Sequence, residues 1–147
     1  MADEIIKKIE LTKFNNEVAL QMGLAIVEFA KKQNQHIAIS VERLHYTVFL
    51  FVDDTLCSDN LNWLRRKANV AKRFEESSLR VKHDLTNGNM TLKETFALNP
   101  KDFLAKGGAI PIFVKDAGMI AFISVSGLKD EEDHKIIVDA LKGKCIN

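Results

Sequence analysis

Cysteine is scarce in this chain: 147 residues carry only Cys57 and Cys145. The two form neither a zinc spacing nor a redox pair, and no disulfide framework is expected. Asp53, Asp54 and Asp59 lack the spacing of a calcium loop, so no metal site is expected. An excess of one charge is also missing. Lys and Arg number 21 against 20 Asp and Glu, a formal charge of +1. That balance gives no long-range steering toward nucleic acid or an anionic membrane. One Trp and one Tyr leave no run of stacking aromatics between basic residues, which argues further against nucleic acid. No apolar run approaches the ~20 residues of a membrane-spanning helix. The opening Met-Ala-Asp-Glu-Ile-Ile-Lys-Lys lacks a basic segment followed by an apolar one. A cytoplasmic protein with reduced thiols is expected. Gly-x-Ser-x-Gly, a phosphate loop and a dinucleotide fingerprint are all absent.

What is present is organised around Lys106-Gly107-Gly108-Ala109-Ile110-Pro111-Ile112-Phe113-Val114 and its continuation to Asp133-His134. Two apolar strands flank a turn at Lys115–Gly118, and the second runs from Met119 to Val125. An acidic helix start follows at Asp130–His134. Gly107 and Gly108 allow a close backbone approach or a positive φ. Pro111 lacks an N–H and suits a strand edge or start.

Upstream, Asp3 to Leu11 reads as a short helix. Asn15 reads as the N-cap of a helix over residues 16–35, with Val18, Met22, Ala25, Ile26 and Phe29 as its buried stripe. Strands are expected over residues 36–41 and 44–52, joined by a tight connection at Glu42-Arg43. The second is apolar on both faces, which predicts burial on both, with another subunit as an alternative source of one cover. A long helix follows from Asp59 or Asn60 to about Phe74, with two apolar stripes. A turn at Asn87-Gly88, a short helical or irregular stretch over residues 92–103, and a helix over residues 131–142 complete the chain. One domain over residues 1–147 is expected, with residues 1–14 as a helical N-terminal extension. Strands grouped in two antiparallel pairs predict an α+β domain, an antiparallel sheet covered by helices.

Two motifs together resemble a known family. The first is Gly-Gly-Ala-Ile-Pro-Ile at 107–112, then Gly118, Ile-Ser-Val-Ser-Gly-Leu at 123–128, and Glu132-Asp133-His134. The second is Asp59-Asn60, Trp63, Arg65-Arg66-Lys67, Phe74 and Ser77-Ser78. They are similar to the haem-degrading-domain superfamily of HbpS-like and GlcG-like proteins, and within it to small, stand-alone, functionally uncharacterised members. The resemblance spans about residues 15–141. It implies a profilin-like sandwich, a homo-oligomer (a dimer or higher even-numbered assembly) and a role in binding haem or a related tetrapyrrole.

Several residues stand out as ligand-binding candidates. Asp133 and His134 join a carboxylate and an imidazole at a helix start, where anions are favoured; dipole-complementing acids with a packed His are the structural alternative. His45 is a candidate axial ligand for haem iron, or a strand His bonded to backbone. Arg65 and Lys67 belong to a basic concentration with Arg66, Lys72-Arg73 and Arg80-Lys82. It suits ligand carboxylates, or forms a solvated face. The expected pocket lies between Gly107-Gly108, the His134 helix start and the Arg65–Lys67 helix. No catalytic constellation is evident, so a binding module is expected. The alternatives are an enzyme of haem degradation or small-carboxylate chemistry, and an oligomeric scaffold without a ligand.

Overall fold

The computed structural model of the chain describes residues 5–144. Its centre is the β-hairpin of the Gly-rich stretch, β4 (Ala109–Val114) and β5 (Gly118–Ser126). Asp116 and Gly118 both take positive φ in the connecting turn, which suits residues of turn type. β5 pairs antiparallel with β2 (Ala38–Arg43), and β2 with β3 (Thr47–Val52). β1 (Ile9–Leu11) runs parallel to β4 on the other side. The sheet therefore has the order β1-β4-β5-β2-β3.

Alternation along these strands sorts the side chains onto two faces. Ile39, Val41, Ile110, Ile112, Ile123 and Val125 build the main core with α1 (Asn16–Lys32) and α5 (Asp130–Leu141). Asn15 caps α1, its side chain accepting from the Val18 N–H at 2.9 Å. Ser40, Phe122, Ser124 and Ser126 fall on the opposite face. There α2 (Asp59–Phe74) crosses β5, β4 and β2. Its inward residues are Leu64, Lys67, Ala68 and Ala71, at the i, i+3, i+4, i+7 spacing of a helical stripe. Small residues on both sides let the helix lie close to the sheet. A second, smaller cluster joins Val70 of α2 to Val81 and Leu85 of α3 (Ser78–Asn87). The short α4 (Leu92–Phe96) adds Leu92 to it.

The α+β architecture expected from the strand grouping is present, as a mixed sheet covered by helices on both faces. Three local expectations are corrected. Residues 9–11 are a strand, not part of a helix; Ile5, Ile6 and Ile9 match a helical stripe too short to hold a helix alone, and the open edge of β4 offers hydrogen bonds instead. The β2–β3 connection is not at Glu42-Arg43. Arg43 still belongs to β2, its N–H donates to the Tyr46 carbonyl, and His45 lies in an exposed hairpin turn. Finally, β3 is not buried on both faces within the single chain: it is an edge strand, and Leu50 is 51% exposed there. The expectation for residues 1–4 and for Cys145 falls outside the described residues.

Candidate functional site

The two glycines, α2 and the start of α5 meet, and Lys67 joins them. Its ammonium donates to the Gly107 carbonyl at 3.0 Å, to Asp133 Oδ2 at 3.0 Å, and to the Val125 carbonyl. Lys67 and Asp133 are only 2% and 3% exposed. The second Asp133 oxygen accepts from the Leu128 N–H at 3.0 Å. Burial pushes Lys67 down and Asp133 up to about 6, each against the attraction of the other. An ammonium has three donors, and here all three have protein acceptors. Lys67 and Asp133 thus clamp α2, β5 and α5 together, and they have no hydrogen-bonding capacity to spare for a ligand from the ammonium.

Gly108 sits inside this clamp with φ of +128°. A Cβ there would overlap the Lys67 ammonium and the Val125 carbonyl. A Cβ at Gly107 would overlap the Asp130 carbonyl. Both glycines are therefore required by close approach. Beside the clamp is a polar cleft of about 270 Å³, lined by Asn60, Trp63, Lys106, Ser126 and Asp130 among others. Arg66 and Lys106 each lie 5.4 Å from the Trp63 ring, within cation–π range. Asp130 is held by Lys82 at 2.6 Å.

The structure places the other sequence candidates elsewhere. Pro111 is buried within β4, opposite Phe122. Arg65 turns away from the clamp, donating to Asp102, Asn62 and the Lys101 carbonyl. His134 is 7% exposed, its Nδ1 lacks a partner, and it is not among the residues lining the cleft. Burial pushes its imidazole down to about 4. A folded-state pKa below the unfolded one means the unfolded chain holds more protons between about pH 4 and 6.5. His134 thus makes stability rise with pH through that window. Asp133, shifted up, acts in the opposite sense from about pH 4 to 6. Replacing His134 with Leu should therefore raise the unfolding midpoint at pH 4.5 relative to pH 7.5. The full effect is on the order of 3 kcal/mol. Equal changes at both pH values, measured by urea unfolding, would exclude this role.

The larger recess is a groove of about 510 Å³ between α2 and the β2–β3 hairpin. Leu50, Leu61, Leu64 and Phe122 give it an apolar floor, and Arg43, Arg65 and Lys72 supply positive charge against Glu42. His45 and Tyr46 stand at its hairpin end. Among the described residues, nothing hydrogen-bonds the His45 imidazole. Ser40 lines the groove with a buried hydroxyl that has no partner, an uncommon state for a buried polar atom. Of the sequence candidates, His45 and Arg65 meet here, far apart in sequence. The roles of Ser40, Leu50 and Arg43 had no sequence signal, because only the sheet order brings them beside α2.

Fold and site together define an α+β domain with an apolar-floored, basic groove beside a mixed sheet. The chain belongs to the family described as "Haem degrading protein HbpS-like", whose model matches residues 14–142. A UPF0303 protein of Zymomonas mobilis is 38% identical over 92% of this chain and 73% of its own length. Among solved structures, the Ybr137w protein is 28% identical with a TM-score of 0.82, covering 90% of this chain and 79% of that one. A crystal structure of a PduOC:heme complex shares the fold, at 16% identity and a TM-score of 0.71, over 93% of this chain and 100% of that one.

Proposed function

We propose that the chain binds haem or another tetrapyrrole in the groove between α2 and the β2–β3 hairpin, as a homo-oligomer. The observation that carries this reading is the groove's makeup: about 510 Å³, inside the usual range of roughly 300–1,000 Å³ for small-ligand sites. The polar cleft beside Lys67, at about 270 Å³, is below that range. The residues present suit the group. His45 offers an imidazole with no competing hydrogen bond among the described residues, and haem iron accepts His. Arg43, Arg65 and Lys72 suit carboxylates, and the leucines and Phe122 suit an apolar ring. The family supports the reading, as does the fold shared with a protein solved as a heme complex. Bound haem would supply a redox-active iron; the chain itself would bind and orient it.

The enzyme alternative has less support, since among the described residues no carboxylate is hydrogen-bonded to His45 to make an acid–base pair. The test is a haem titration of the purified protein followed by the Soret band. The expected result is saturation at a fixed ratio per subunit, with His45→Ala weakening binding at least tenfold. A Lys72→Glu change should also weaken it. Binding that never saturates, or a Soret spectrum indifferent to His45→Ala, would refute the groove as the site.

A further inference from the structure

We infer that Ser40 sets the ligand specificity of the groove: its hydroxyl donates a hydrogen bond to a carbonyl oxygen on the edge of the ligand. The groove then prefers an open-chain tetrapyrrole, which ends in lactam carbonyls, to a closed porphyrin. This preference rests on the groove being the tetrapyrrole site.

Ser40 is 4% exposed and lines the groove. Strand alternation sets it on the α2 side of the sheet, the side of Phe122, Ser124 and Ser126. The other buried serines divide into two kinds. Ser126 donates to the Asn60 carbonyl at 3.0 Å, Ser78 accepts from the Ala109 N–H at 3.0 Å, and Ser77 accepts from the Arg80 N–H at 3.2 Å. Only Ser40 and Ser124 have hydroxyls without a partner among the described residues. These two are register partners across β2 and β5. A buried hydroxyl left unbonded costs stability, and here two such groups adjoin, one of them lining a groove. That placement suits a partner that arrives with the ligand.

The chemistry of the pair selects an acceptor. Each hydroxyl has a single proton to give and lone pairs to accept with, and serines facing each other across strands can bond one another. Ser124 is fully buried and is not among the residues lining the groove. Its proton can go to Ser40, which leaves the Ser40 proton for the groove. The surroundings of Ser40 select an uncharged acceptor. Leu50 is its register partner on β3, Phe122 lies two positions from Ser124 on the same strand face, and Leu64 and Ala68 face inward from α2. Desolvating a carboxylate among these groups would be costly, and Arg43, Arg65 and Lys72 offer carboxylates a better place in the same groove. A carbonyl needs only one donor. The edge of a porphyrin carries hydrocarbon and carboxylate groups; the ends of an open-chain tetrapyrrole carry lactam carbonyls.

The experiment compares biliverdin with metal-free protoporphyrin IX, in absorbance titrations of the purified full chain. Both probes carry propionates, and neither brings an iron for His45. The wild type should bind biliverdin more tightly. Ser40→Ala should weaken biliverdin roughly five- to tenfold, the scale of one hydrogen bond, and leave protoporphyrin unchanged. Ser40→Cys keeps the shape with a weak donor and should behave the same way. Lys72→Glu should weaken both probes, which reports on the groove itself. In urea unfolding without ligand, Ser40→Ala should match or exceed the wild type, because it removes an unbonded polar atom. Saturable binding of both probes that Ser40→Ala leaves unchanged, or weakens equally, would overturn the specificity role and leave the groove standing. A lowered unfolding midpoint in Ser40→Ala would make the hydroxyl a structural group and overturn the role as well. Failure of both probes to saturate would remove the groove and the preference together.

Discussion

Replacing Lys67 with Ala is expected to lower the stability of the fold by about 3–5 kcal/mol, the usual cost of stranding one member of a buried ion pair. The change leaves the Asp133 carboxylate, 3% exposed, without its ammonium. It also leaves the carbonyls of Gly107 and Val125 without their donor. A second variant separates charge from packing. Lys67→Met with Asp133→Leu removes both charges and should recover part of the loss, since apolar replacements of buried pairs are often tolerated. The Leu128 N–H would still lack its acceptor, so recovery should be incomplete. The loss in Lys67→Ala should also depend on pH. Burial already pushes Asp133 up to about 6, and removing the cation pushes it further in the same direction. Such a group makes stability fall as pH rises through its unfolded and folded pKa values. The variant should therefore lie closer to wild type at pH 5 than at pH 8, in urea unfolding. A loss below about 1 kcal/mol, the scale of an exposed pair, would show that the clamp is not a structural element.

Gly108→Ala is the second large effect. At φ of +128° a residue with a Cβ is strained, which costs on the order of 1–3 kcal/mol by itself. The added methyl also has no room, because the Lys67 ammonium, the Val125 carbonyl and the Asp133 Cβ surround the position. Two of these belong to the clamp, so the methyl would push apart the groups that Lys67 holds together. The effects of Gly108→Ala and Lys67→Ala should for that reason be less than additive, as expected of residues in contact. Gly118→Ala is the useful control. Its φ is +88° with nothing near an added Cβ, so it should show the backbone cost alone. Equal losses at the two glycines, by thermal or chemical unfolding, would mean that crowding at Gly108 contributes nothing.

The clamp was only half legible in the sequence. Gly107, Gly108, Asp133 and Lys67 were each candidates, and the structure does gather them. Their chemistry differs from the expectation. Lys67 was grouped with Arg65 and Arg66 as one basic surface. On a helix, however, successive residues point in different directions. Lys67 faces the sheet, while Arg66 reaches the Pro100 carbonyl and Arg65 reaches Asp102. Asp133 looked like one of four acids at an exposed helix start. Its position one turn into α5 instead places it beneath the hairpin, in reach of Lys67. No local pattern distinguishes the buried acid from the half-buried Asp130 and the exposed Glu131 and Glu132 beside it.

Local sequence determined the elements whose cause is local. Asn15 marked the start of α1 through its side-chain cap, and the two apolar runs flanking the turn at Lys115–Gly118 marked the β4–β5 hairpin. The same reasoning established α+β character, because hairpin-connected strands pair with their neighbours wherever the chain then goes. Tertiary structure alone decided the rest. The short segment Ile9–Leu11 became a strand because β4 had a free edge. β3 became the opposite edge because β5 took the inner side of β2, and that order placed His45, Arg65 and Ser40 around one groove. Such choices depend on which backbone groups remain unpaired after the central strands assemble, a property of the whole chain rather than of any stretch within it.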